Sequence, residues 1–144
     1  MNFGKIILSF LLLSINQTGV AQELDEYQWN NRLVLLLTKN EICTPCERQL
    51  NALKHNAEGV PERKILTFVV TPQKFKNTLD ETWKENKELY TRFRKTESDF
   101  EFILIGLDGG VKLRKSHFVP ISDVFALIDT MPMRQNEMRK QDKH

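Results

Sequence analysis

From Leu33 to Leu37 the chain reads Leu-Val-Leu-Leu-Leu without a polar residue, inside the stretch "LVLLLTKNEICTPCERQLNAL". A strand with one face in water alternates apolar and polar side chains, so an uninterrupted run read as a strand is buried on both faces. Arg32 to Thr38 is therefore expected in the middle of a sheet that other elements cover on both sides. Directly after it come the only two cysteines, Cys43 and Cys46, and then an amphipathic helix. Cys46, Leu50, Leu53 and Ala57 recur at steps of four, three and four, forming one stripe, with Gly59 and Pro61 ending the element.

The rest of the chain continues this alternation. Lys64 to Val70 reads as a second buried strand. Thr78 with Glu81 makes a capping-box start for a long helix in which Leu79, Trp83, Tyr90 and Phe93 share a face. Arg92, Arg94 and Lys95 fall in its last turn, where cations complement the negative helix end. Phe100 to Gly106 is a third strand, "LDGGVKL" a hairpin turn, and Val111 to Arg114 a fourth strand. Asp108, Gly109 and Gly110 suit a tight turn with positive φ rather than a phosphate cradle, because no helix follows the glycines directly. A last packed helix starts near Ser122 with Ile121, Val124, Phe125 and Ile128 on one side, and a helical tail spans about 131–144, with Pro132 at its first position. The expected architecture is α/β, a three-layer sandwich of order β-α-β-α-β-β-α on a central mixed sheet. "TPQKFKN" and the tail after Met138 are the expected mobile pieces.

Before that domain stands "MNFGKIILSFLLLSINQTGVAQ", with Lys5, an apolar run from Ile6 to Ile15, and small residues at Gly19 and Ala21. This is the pattern of a secretory signal peptide, residues 1–21, cut after Ala21. The apolar run is about half of the roughly 20 residues that span a bilayer, so no stable membrane insertion is expected after removal. Residues 22–144 then form a single domain large enough to bury a core without disulfides. Its charge, with Lys5 lost from a formal +2, is close to neutral and gives no reason to expect nucleic acid or an anionic membrane as a partner. Export, to a periplasm or outside the cell, places Cys43 and Cys46 where a disulfide persists.

Three readings of "CTPC" compete. As a dithiol, Cys43 precedes the first helical turn, where free backbone N–H groups favour a thiolate, and Cys46 opens the apolar stripe and is partly buried; Cys43 attacks and Cys46 resolves. Pro45 suits the first turn. Lys39 and Arg48 favour the thiolate, while Glu41 and Glu47 oppose it. As a permanent Cys43–Cys46 disulfide, the pair closes a four-residue loop that contributes only about 2 kcal/mol, against about 3 for fifteen residues. As half a zinc site it lacks partners: His55, His117 and His144 are scattered and suit the surface. Met131, Met133 and Met138 fit adaptable packing better than a soft-metal site. No metal and no cofactor are expected. Arg134, Glu137 and Arg139 fit a solvated charged face, and Tyr27 and Trp29 fit the core at a sheet edge.

"CTPC" and the element order resemble thioredoxin-like thiol–disulfide oxidoreductases. That resemblance implies exchange with protein thiols or disulfides, with Cys43 and Cys46 as catalytic residues. It also implies a cis-proline before the third strand and a buried acid in the first. Here Ser98, Asp99, Phe100 and Glu101 stand at the former place and Leu35, Leu36 and Leu37 at the latter. Asn40 occupies the position of a peroxiredoxin-type threonine, three residues before Cys43, so peroxidase activity is not implied.

"LDEYQWNNRLVLLL", "FILIGLDGGVKLR" and "FALIDTMPMRQNEMR" resemble a family of secreted bacterial proteins built on a domain of unknown function. That domain is similar to one in animal sushi-repeat-containing proteins and is thioredoxin- or peroxiredoxin-like. The resemblance rests on these segments and not on the C-x-x-C. It supports fold and secretion and leaves open a non-catalytic binding module in which the cysteine pair is incidental or structural.

Overall fold

The computed structural model describes residues 22–143. The signal-peptide segment and His144 lie outside these residues.

The central strand is β1 (Arg32–Thr38), and all seven of its residues are buried. It pairs in parallel with β2 (Ile65–Val70) and antiparallel with β5 (Phe100–Ile105), which in turn pairs antiparallel with β6 (Val111–Lys115). Two short strands, β3 (Lys74–Asn77) and β4 (Trp83–Glu85), extend the other edge, giving the order β4-β3-β2-β1-β5-β6. Alternation along β1 sends its side chains to two separate cores. Val34 and Leu36 meet Phe102 and Leu104 beneath α2 (Thr44–Lys54) and α5 (Ile121–Asp129). Leu33, Leu35 and Leu37 meet Phe68, Ile103 and Ile105 beneath α1 (Gln22–Asp25) and α4 (Glu88–Phe93). A short α3 (Gly59–Glu62) precedes β2, and α6 (Pro132–Gln141) closes the described chain, with Pro132 in its first turn as expected.

The three-layer α/β sandwich on a mixed sheet is present, with departures that have local causes. No long helix runs from Thr78 to Phe93. Lys74–Asn77 and Trp83–Glu85 form a hairpin, with Lys76 opposite Trp83, and "TPQKFKN" supplies its first strand. Asn77 Oδ1 accepts the Leu79 N–H and Asp80 Oδ1 accepts the Thr82 N–H, both at 2.9 Å, so side chains capture amides that a helix would use. Glu81 adopts φ 55°, and Leu79 is exposed. Helix begins only beyond Asn86, whose Oδ1 takes the N–H groups of Glu88 and Leu89.

Gly59 and Pro61 do not end α2, which stops at Lys54; they belong to α3. A Cβ on Gly59 would stand 2.5 Å from the Phe125 ring, so a larger residue here requires that ring to shift. Trp29 is not core: it is 61 % exposed at φ 69°, although its N–H reaches the Leu107 carbonyl at 2.7 Å. Tyr27 packs on Phe68 as expected, with ring centroids 5.5 Å apart.

Candidate functional site

Cys43 is the residue before α2, in extended conformation at φ −146° and ψ 101°, and it is joined to Cys46 as a disulfide with Cα atoms 5.2 Å apart. The Cys46 N–H points at Cys43 Sγ, 3.2 Å away. That N–H belongs to the first turn of the helix, where amides lack intrahelical partners, so it stabilises negative charge on this sulfur once the bond is open. Both sulfur residues are largely covered, Cys43 at 8 % exposure and Cys46 at 4 %, with Cys46 facing the core shared with Val34 and Leu36. Between and before them the surface is open: Ile42, Thr44 and Pro45 are exposed, Ile42 at 89 %.

The helix is pinned by a residue that periodicity does not single out. Gln49 is fully buried on α2, and its amide donates to the Val119 carbonyl and accepts the Val119 N–H, each at 2.9 Å. This pair of hydrogen bonds holds the segment leading into α5 against the cysteine helix. A polar residue inside an apolar stripe was the available signal.

The charges expected around Cys43 divide. Lys39 pairs with Asp99 at 2.6 Å and holds the Asp99 carboxyl below its ordinary range. Glu41 pairs with Lys74 at 2.6 Å. Arg48 lies with its guanidinium 4.1 Å above the Phe118 ring.

The structure also has a buried acid, on β5 rather than β1. Glu101 is 1 % exposed and faces the sheet side opposite the disulfide. Burial alone would raise its carboxyl, but N–H groups of Thr96 and Lys95, the Thr96 hydroxyl and the Arg114 guanidinium outweigh that and hold it below the ordinary range. Arg114 also binds the Phe93 carbonyl at 2.8 Å, which ties the end of α4 to the sheet.

The expectation of a solvated face at Arg134, Glu137 and Arg139 holds for Arg139 alone. Arg134 is 1 % exposed; it bonds Asp129 and Glu62 and stands 3.6 Å from Glu137. Arg63 grips Asp129 through two nitrogens at 3.0 and 2.7 Å, and buried Arg32 meets Glu137 at 3.2 Å. Burial pushes Asp129 up, and Arg63 and Arg134 more than reverse it, leaving its carboxyl below the usual range. This ionic cluster occupies the sheet end remote from the disulfide.

Among the described residues no group of three or more His, Cys, Asp or Glu side chains is arranged to hold a metal ion. Met131 packs against the core, and Met133 is 39 % exposed. His55 and His117 are exposed. No peptide bond among the described residues is cis.

Strand order β2-β1-β5-β6, one parallel pair and two antiparallel ones, and a C-x-x-C disulfide heading the first crossover helix define a thioredoxin-like α/β protein. Residues 23–137 match the family model described as "Domain of unknown function (DUF4174)", and the chain belongs to that family. Among curated proteins none matches. Among solved structures, the chain is similar to the reduced 2-Cys peroxiredoxin of Plasmodium vivax at 13 % identity and a TM-score of 0.49, covering 84 % of this chain and 85 % of that one. The fold class rests on the strand pairing itself.

Proposed function

We propose that this is an exported thiol–disulfide oxidoreductase in which Cys43 and Cys46 exchange electrons with cysteines of other proteins. The observation that carries the reading is the placement of Cys43: it stands at the head of α2 with the Cys46 N–H on its sulfur, beside exposed Ile42, Thr44 and Pro45. Cys43 is the sulfur that attacks or is attacked, and Cys46, facing the core, leaves and returns. Support for an exchanging rather than a permanent bond comes from loop length, since four residues confer little stability.

The test is the redox potential of the pair in the chain lacking residues 1–21, with turnover in insulin reduction or dithiol oxidation. A potential above about −300 mV with turnover is expected; a more reducing bond without turnover would sink the reading. Recovery of the protein from periplasm or medium, shortened at its start, tests export.

A non-catalytic binding module is favoured by one observation: β1 presents Val34 and Leu36, with no acid, beside the cysteine pair. Replacing both cysteines by serine separates the readings, because partner binding would then survive intact.

A further inference from the structure

Beside the disulfide, a groove of about 320 Å³ runs between Thr44 and Pro45 on one side and Ser116, His117 and Phe118 on the other, with Phe100 at its base. That volume is at the small end for ligand pockets, of the order of 300–1,000 Å³, and admits one or two side chains. No acidic residue lines it, and Arg48 does.

Arg48 is the cation that lines this groove, and it differs from Lys39 and Lys74 at the same end of the sheet. Lys39 and Lys74 are paired with Asp99 and Glu41. Among the described residues no carboxylate pairs with Arg48, whose guanidinium lies over Phe118 at 4.1 Å. Stacking orients the planar fork while leaving its N–H groups to bind an acceptor, and a guanidinium matches a carboxylate with two parallel bonds. Thr44 and Ser116 place hydroxyl groups, which donate as well, along the same groove.

Resting on the exchange reading above, we propose that this groove selects protein segments carrying an acidic residue next to the reacting cysteine, with Arg48 as the specificity-determining residue. In the oxidised protein a client thiolate attacks Cys43 Sγ, the Cys43–Cys46 bond breaks, and Cys46 leaves as a thiolate and takes up a proton. The client's second thiolate then attacks the mixed disulfide and releases Cys43. The client loses two electrons and the pair gains them. Arg48 binds the client carboxylate during the first attack.

The test compares two reduced peptides of the same Cys-x-x-Cys core, one flanked by glutamate and one by lysine, as reductants of the oxidised protein. Dithiothreitol serves as an uncharged reductant. At low ionic strength the glutamate peptide should react roughly five- to tenfold faster, and the ratio should shrink towards one as salt is raised. Arg48→Glu should invert the ratio, and Arg48→Lys, which keeps the charge but loses the stacked two-bond fork, should retain only part of it; a ratio within one protein is insensitive to a change in its overall reactivity. Equal rates for the two peptides, or a ratio untouched by Arg48→Glu, would overturn the acidic preference and leave exchange standing. Failure of both peptides where dithiothreitol reduces the pair would overturn exchange itself, and the preference with it.

Discussion

At the carboxyl end of β1 the chain passes into Cys43 and Cys46, joined to each other and bordered by exposed residues; at its amino end Arg32 is buried beside Glu137, with Arg63, Asp129, Glu62 and Arg134 alongside. The only covalent cross-link among the described residues thus spans four residues, where its stabilising effect is about 2 kcal/mol in the chain-entropy model. The costliest groups to bury, two arginines at 1 % exposure, stand where carboxylates from three segments converge. One end holds the disulfide beside exposed residues, where the proposed exchange would take place. The other fastens α5 and α6 to the turn before β2, which accounts for Arg134 and Glu137 of "MPMRQNEMR" without any ligand.

The largest test of this contrast is Arg134→Ala. It empties the buried site of the Arg134 side chain and takes the donor from the Glu62 carbonyl, while Asp129 keeps Arg63 and the Glu62 carboxylate stays half exposed; the lost packing and hydrogen bonds are expected to destabilise the fold by about 3 kcal/mol. Urea denaturation would measure it. A loss below that caused by opening the disulfide would break the assignment of fastening to this end.

Gln49→Leu comes next. It removes both partners of the buried Val119 backbone, and two unpaired groups should cost about 2 kcal/mol or more. The midpoint of urea unfolding reads this directly. Because Gln49 holds the segment beside the cysteine helix, the same variant should also slow disulfide exchange, whereas Arg134→Ala should not. That asymmetry sharpens the comparison.

Reducing Cys43–Cys46 without mutation should shift stability by about 2 kcal/mol at most, the loop-entropy value. Acid separates the ends less. Glu101, near the disulfide end, and Asp129, in the ionic cluster, both have carboxyls held below their unfolded values, so each contributes stability that is complete above about pH 4 and is lost as pH falls through the folded value. Stability curves should be flat from neutrality to about pH 5 and fall below pH 4. Glu101→Gln should flatten part of that fall, and an unchanged acid limb would remove Glu101 from the account.

Much of this plan is legible in the residues. The apolar run of β1 requires covering layers on both sides, and the observed strand is Arg32–Thr38, as read from the sequence. The turn at Asp108 to Gly110 is also as expected, with Gly109 at φ 80°. What periodicity misses are polar side chains whose partners lie far along the chain. Arg134 and Gln49 look like surface residues until Glu62 and Val119, each about 70 positions away in sequence, come to meet them. The Thr78 helix fails for the opposite reason. Its helical spacing is real, but Asn77 and Asp80 bind amides two residues ahead, and the hairpin keeps Trp83 against Lys74 and Lys76, 4.8 and 5.2 Å from its ring.

The smallest expected change in stability is also the sharpest division between the ends. Ile42 is 89 % exposed immediately before Cys43, and Met133 is 39 % exposed on α6. Ile42→Ser removes little buried contact, so its effect on unfolding should stay within about 0.5 kcal/mol, in the ordinary range of surface substitutions. Its effect on function should be larger, because an isolated apolar side chain next to a reacting sulfur gives a client chain area to cover, and losing it should lower the rate of client exchange severalfold. Met133→Ser, at the ionic end, should leave that rate unchanged. Stopped-flow or alkylation-quench kinetics with one dithiol peptide would compare both variants with the unaltered protein. Equal slowing by the two would mean that the disulfide end has no special claim to contact a partner, and the contrast between a reactive end and a fastened end would fail even if every stability measurement agreed.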